Sequence, residues 1–116
     1  MAANTEARTD IEEFKREFAW PDDAAGERGI TAGSDLEQVI ESLHPTVLIG
    51  TTGQPGRFTE PIVSAMSSHV QRPLVMALSN PTSKCEVVPE DALAWSDGRA
   101  LVATGSPFAP VPYGDR

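Results

Sequence analysis

Cysteine, lysine and long apolar runs are scarce in this chain, and each shortage removes a class of function. A single cysteine, Cys85, rules out an internal disulfide and a cysteine-built metal cage. His44 and His69 stand at no recognisable spacing from it, so it reads as a reduced, incidental thiol rather than a nucleophile with a base. No stretch approaches the roughly twenty apolar residues that cross a bilayer, and Met1 to Asp10 contains no apolar core of a secretion signal. A cytoplasmic protein without a membrane partner is expected. Basic side chains number 9 against 17 acidic ones, for a net charge of −8. Arg8, Lys15 and Arg16 lie among acids and the other cations are scattered, so no basic patch offers itself to phosphate backbones. Nucleic acid is thereby excluded. With 116 residues, 40% of them hydrophobic, the chain can build one small domain and no more.

What is present alternates between helical and strand-like segments. Ile11, Phe14 and Phe18 follow helical spacing with charged residues between them, which predicts an amphipathic helix ended by Trp20-Pro21. Asp22 to Gly33 shows no period and reads as a loop. Ser34 and Glu37 fit a capping box before a helix through Leu43, with Leu36, Val39, Ile40 and Leu43 inward. Pro45 stops that helix, and Thr46 to Gly50 is a short continuous apolar run suited to a parallel strand. After the glycine-bearing loop Thr51 to Gly56, Thr59 and Pro61 open a helix whose inward side is Ile62, Val63, Ala65, Met66 and Val70. Pro73 to Leu78 is a second strand, turned at Ser79 to Thr82. Pro89, Glu90 and Asp91 start another helix, Asp97-Gly98 ends it, and Ala100 to Thr104 is a third strand. Strand, helix, strand, helix, strand at this spacing implies an α/β fold with a parallel sheet of about three strands and flanking helices.

In an open parallel sheet ligands bind beyond the carboxyl ends of the strands, which gathers Thr51 to Gly56, Ser79 to Thr82 and Gly105 to Phe108. Asn80 is the most informative of these side chains, because an amide both donates and accepts. An Asx turn onto its own backbone is the plainer use of such a residue.

The order and wording of several segments add to this. Pro45-Thr46-Val47-Leu48-Ile49-Gly50-Thr51-Thr52-Gly53-Gln54-Pro55-Gly56 is followed by Phe58-Thr59-Glu60, Arg72-Pro73 and Leu78-Ser79-Asn80-Pro81-Thr82-Ser83-Lys84. Pro89-Glu90-Asp91, Trp95-Ser96-Asp97-Gly98-Arg99-Ala100 and Ala103-Thr104-Gly105-Ser106-Pro107-Phe108 complete the series. From about Leu36 to Tyr113 the chain closely resembles the second half of the cofactor domain of malic enzymes, and more loosely before that, through Phe14-Lys15-Arg16 and Phe18-Ala19. The resemblance implies a partial Rossmann-like, three-layer αβα sheet. It also implies oxidative decarboxylation of malate to pyruvate and CO2, with NAD or NADP as hydride acceptor and Mg2+ or Mn2+ in the complete enzyme. By the same resemblance Asn80 matches an asparagine beside malate and the nicotinamide ring, Ser79 lines the same wall, and Thr51, Thr52 and Gly53 match the loop against the dinucleotide.

Several parts of such an enzyme have no counterpart here. Neither lysine, Lys15 or Lys84, nor the single tyrosine, Tyr113, lies in the family's catalytic context. The acidic pairs Glu12-Glu13, Asp22-Asp23 and Glu90-Asp91 read as solvated or helix-capping residues rather than metal ligands. Gly50, Gly53 and Gly56 do not form the Gly-x-Gly-x-x-Gly fingerprint that binds pyrophosphate. Val88 stands where the family often has a Ser or Thr cap. The expected organisation is residues 1–33 as a helix and loop, and 34–116 as the second half of the cofactor domain. The expected role is a malic enzyme fragment, inactive alone, whose partner is the missing amino-terminal half or another malic enzyme subunit. Marginal stability or self-association follows if Thr46 to Gly50 becomes an open apolar edge. The alternatives are a non-catalytic module that binds a full-length malic enzyme and, more weakly, a free dinucleotide-binding module. Nothing in the sequence separates NAD from NADP.

Overall fold

The computed structural model describes residues 3–6 and 8–115. Two compact units divide the chain, Met1–Leu43 and His44–Arg116.

In the first unit, α1 (Glu13–Arg16), α2 (Asp22–Glu27) and α3 (Leu36–Leu43) differ from the sequence expectation in three places. The amphipathic helix around Ile11 shrinks to the single turn α1: Ile11 is buried, but Phe14 and Phe18 are 69% and 75% exposed. The cause lies at Trp20, which pairs in parallel with Thr5. Its N–H donates to the Asn4 carbonyl, and its own carbonyl accepts from Glu6 N–H. That pairing draws the chain out of helix early, through tight turns such as Phe18 N–H to Lys15 O, and the predicted stripe never forms. The loop expected from Asp22 instead begins with α2. Pro21 precedes it and Asp22 and Asp23 fill its first turn, where acids complement the helix dipole; only Ala25 is buried, so no apolar period announces it. Finally, the reciprocal cap of α3 sits one residue later than expected. Asp35 N–H donates to Gln38 Oε1 and Gln38 N–H to Asp35 Oδ1, each at 2.9 Å, while the Ser34 hydroxyl accepts from Thr31 N–H. Ile40 is the buried anchor of α3, with Leu36, Val39 and Leu43 half-buried.

The second unit runs β1 (Val47–Gly50), α4 (Glu60–His69), β2 (Leu74–Ala77), a 3-10 turn (Thr82–Lys84), α5 (Pro89–Trp95) and β3 (Leu101–Thr104). The sheet is open, all parallel, and ordered β1-β2-β3, as the alternation of segments predicts. Its register aligns Val47, Leu74 and Leu101 on one face and Leu48, Val75 and Val102 on the other. Val75 and Ala77 are fully buried, whereas Val47, Ile49 and Leu101 are exposed. β1 pairs with β2 alone, so the apolar edge expected there is present among the described residues. Ile62, Val63, Ala65 and Met66 of α4 are buried as expected, and Val70 is half-buried at its C-cap. Thr59 holds the N-cap position of α4, although its hydroxyl makes no capping bond.

The segment Ser96 to Ala100 is a structural clasp. Arg99 donates to the carbonyls of Ser67, Val70 and Gln71, closing the C-terminal end of α4. The fully buried Ser96 hydroxyl donates to Ala92 O and accepts from Ala100 N–H, which ties α5 to β3. Asp97 and Gly98, both at positive φ, make the turn between them. At the other end of α5, Val88 occupies the N-cap with no side-chain bond. Replacing it, Val88→Thr, is expected to raise stability by about 1 kcal/mol. Arg99→Ala is expected to lower it by about 1.5–3 kcal/mol, because charged donors leave three carbonyls. Urea unfolding followed by tryptophan fluorescence checks both signs.

Candidate functional site

The parallel sheet brings the carboxyl ends of β1, β2 and β3 to one end of the unit, and the three small-polar loops meet there. The first two meet at a side chain that the sequence reading passed over, Glu86, which is 0% exposed. Three donors converge on its Oε2: Thr52 N–H at 2.8 Å, Thr52 Oγ1 at 2.8 Å and Ser79 Oγ at 2.6 Å. Ser79 N–H approaches Oε1 at 3.3 Å. Ser79 Oγ in turn accepts from Gly53 N–H at 2.8 Å. The same two loops are joined along the backbone, Gly56 N–H to Cys85 O and Phe58 N–H to Glu86 O.

Room for this carboxylate comes from Gly50. A β-carbon there would stand 2.6 Å from Glu86 Cδ and 2.7 Å from the Phe58 ring, so glycine ends β1 because the side chain of Glu86 fills that space. Burial pushes the Glu86 pKa up, but the bonds from Ser79 and Thr52 outweigh it and hold the group at about 2 instead of 4.5. The only sequence signal for it was a lone acid between Cys85 and Val87, both buried.

The third loop joins through Asn80. Ser106 Oγ donates to Asn80 Oδ1, and Thr104 Oγ1 holds Ser106 by donating to its carbonyl at 2.7 Å. Gly105 passes so close to the Leu78 carbonyl that a β-carbon would collide with it. The Asn80-Pro81 peptide is cis. Thus Thr52, Gly53 and Ser79 meet around Glu86, while Asn80 is exposed beside them and tied to Ser106. Thr51 is exposed at the rim and its hydroxyl makes no bond among the described residues. The Asn80 amide nitrogen is likewise without a partner among the described residues.

Other polar groups lie elsewhere. A cavity of about 380 Å³ between Phe58, Cys85, Val87 and Trp95 adjoins Glu86 but is lined by none of Thr51, Thr52, Gly53, Ser79 or Asn80. Tyr113 packs where a β-carbon on Gly98 would be, before β3 starts and so at the opposite end of the sheet. The His44 and His69 rings stack at 3.7 Å, also near the amino end of β1, so neither serves Cys85 after β2. The pairs Asp22-Asp23 and Glu90-Asp91 fill first helical turns, and Glu12 pairs with Lys15 at 2.8 Å. Among the described residues no three His, Cys, Asp or Glu side chains gather as a metal site. No helix among them is long and apolar enough to cross a membrane.

A family model described as the malic enzyme NAD-binding domain matches residues 4–116. The chain belongs to the malic enzyme family, in its NAD-binding domain. Among curated proteins, the NAD-dependent malic enzyme of Sodalis glossinidius is 47% identical over 110 residues, which cover 94% of this chain and 20% of the relative. That of Edwardsiella ictaluri is 56% identical over 89 residues, 77% of this chain and 16% of the relative. That of Pectobacterium carotovorum is 57% identical over 81 residues, 70% and 14%. The chain therefore spans a fifth or less of the length of these malic enzymes.

The carboxylate lock has a pH signature. The unfolded chain takes up a proton on Glu86 as pH falls through about 4.5, whereas the folded one does so only near 2. Stability from this group is complete above the first value and is lost on the way down to the second. The stability gap between wild type and Glu86→Gln is expected to be widest above pH 5 and to close toward pH 2. Urea midpoints measured across that range decide it, and a pH-independent gap would refute the lock.

Proposed function

We propose that this chain supplies the nicotinamide- and substrate-facing wall of an NAD-dependent malic enzyme and does not turn over malate by itself. The observation that carries this reading is the exposed Asn80 amide, held by Ser106 at the joint carboxyl ends of three parallel strands, with its nitrogen still available. A neutral amide group suits the carboxamide of a nicotinamide or the hydroxyl and carboxylate of malate. When bound, the dinucleotide supplies the acceptor for malate's C2 hydride, and loss of CO2 gives pyruvate. Asn80 would orient malate against the ring, and Thr51 would border the loop beside it. Thr52, Gly53 and Ser79 keep that wall in shape.

NAD is the dinucleotide we assign, because it is the one named in the relatives; the chain carries no feature that argues for NADP. The described residues bring no three potential ligands together, so Mg2+ or Mn2+ would be held by other parts of the enzyme. The exposed β1 edge supports a partner that continues the sheet, either the remainder of a cofactor domain or another malic enzyme subunit. A cytoplasmic setting, where Cys85 stays a thiol, belongs to the same reading.

The test is a transplant. Residues 4–116 replace the matched segment of the Sodalis glossinidius enzyme, and malate-dependent NADH formation is measured. Activity is expected to survive, and Asn80→Ala is expected to lower kcat/KM for malate by about ten- to a hundredfold. A dead transplant that folds, an Asn80→Ala variant with full activity, or pyruvate formation by the 116-residue chain alone would overturn the proposal.

A further inference from the structure

The loop after β1 has the composition of a phosphate cradle, yet the donors of Thr52 and Gly53 are spent. Thr52 N–H and Thr52 Oγ1 both point to Glu86 Oε2, Gly53 N–H to Ser79 Oγ, and the single proton of the Ser79 hydroxyl to Glu86 as well. A phosphate site needs free N–H groups and positive potential. Here Thr52 N–H faces inward onto a buried carboxylate, and Gly53 N–H onto the hydroxyl bonded to it. Among the described residues no cation stands among the partners of that carboxylate, and Arg57, on the same loop, donates to Gln54 instead. The wall therefore carries a fixed negative charge just beneath its surface.

We propose that Glu86 decides what this wall accepts: it bars a phosphate and favours a cationic aromatic ring, and so the oxidised nicotinamide over the reduced one. The oxidised ring bears a positive charge and the dihydro ring is neutral, so a charge under the wall discriminates between them. Glu86 acts here as a specificity-determining and positioning residue, through Thr52, Gly53 and Ser79. The inference rests on the wall being the nicotinamide side, as set out above.

The experiment titrates the isotope-labelled 116-residue chain at pH 7 and follows the amide signals of Thr52, Gly53, Ser79 and Asn80 by NMR. The probes are 1-methylnicotinamide, a cation, nicotinamide, its neutral counterpart, and inorganic phosphate. Wild type is expected to bind the cationic ring about five- to tenfold more tightly than the neutral one and to ignore phosphate. Glu86→Gln should bring the ratio of the two rings close to one while neutral nicotinamide still binds. Ser79→Ala, which frees Gly53 N–H but keeps the charge, should retain the preference. Equal binding of the two rings by wild type, phosphate seated at Gly53, or a preference that survives in folded Glu86→Gln overturns the role of Glu86 alone. If neither ring shifts these signals while the chain is folded, the nicotinamide-side reading fails, and this proposal with it.

Discussion

Taking the Glu86 carboxylate out of water is expensive unless several donors replace the solvent, and the donors available are all on the two loops that the sheet delivers to the same place. Thr52 contributes its backbone and its hydroxyl, and Ser79 its hydroxyl, all onto one oxygen. The consequence runs outward from that oxygen. Gly50 must lack a side chain to leave space, Phe58 closes the pocket, and Gly53 is fixed by the far side of the Ser79 hydroxyl. The shape of the wall is thus an electrostatic solution as much as a packing one.

The two ends of the sheet do different work. At the amino ends lie the packing of Tyr113 against Gly98 and the stacked His44 and His69, with Arg99 closing α4 nearby. These groups are polar or aromatic, but each is absorbed into holding helix to strand. At the carboxyl ends, Asn80 and Thr51 retain hydrogen-bonding capacity that the described residues do not use. Parallel strands make that division possible, since every strand starts at one end and finishes at the other.

Much of the second unit was legible in the sequence because its signals are local and strong. Short apolar runs bounded by Pro45 and Gly50, or by Pro73 and Ser79, mark strands. Pro61 and Pro89 mark helix starts, and Asp97-Gly98 a stop. The first unit was less legible. Phe14 and Phe18 had helical spacing but are exposed, because the pairing of Thr5 with Trp20 overrides a preference worth little over so few residues. α2 went unseen since one buried alanine leaves no period. Ser34 and Asp35 are both good caps, and adjacent candidates cannot be ranked without knowing which side chain the tertiary structure claims. The place after strands anticipated that Thr52, Gly53, Ser79 and Asn80 would come together at one end of the sheet, whereas nothing anticipated Glu86 among them. A buried acid is recognisable only through partners that are 7 and 34 residues away in sequence.

The position of Glu86 changes how the small polar residues around it are to be understood. Serine, threonine and glycine after a parallel strand usually suggest that backbone and hydroxyl groups face a ligand. Here three of the five anticipated contact residues, Thr52, Gly53 and Ser79, spend their donors internally. Their composition follows from what a buried carboxylate demands: donors small enough to approach one oxygen together, and a glycine where space is short. Thr51 and Asn80, which Glu86 does not touch, are left with the polar groups that another molecule could use. A wall built this way recognises through the few groups it withholds from its own lock, and through the charge that the lock conceals.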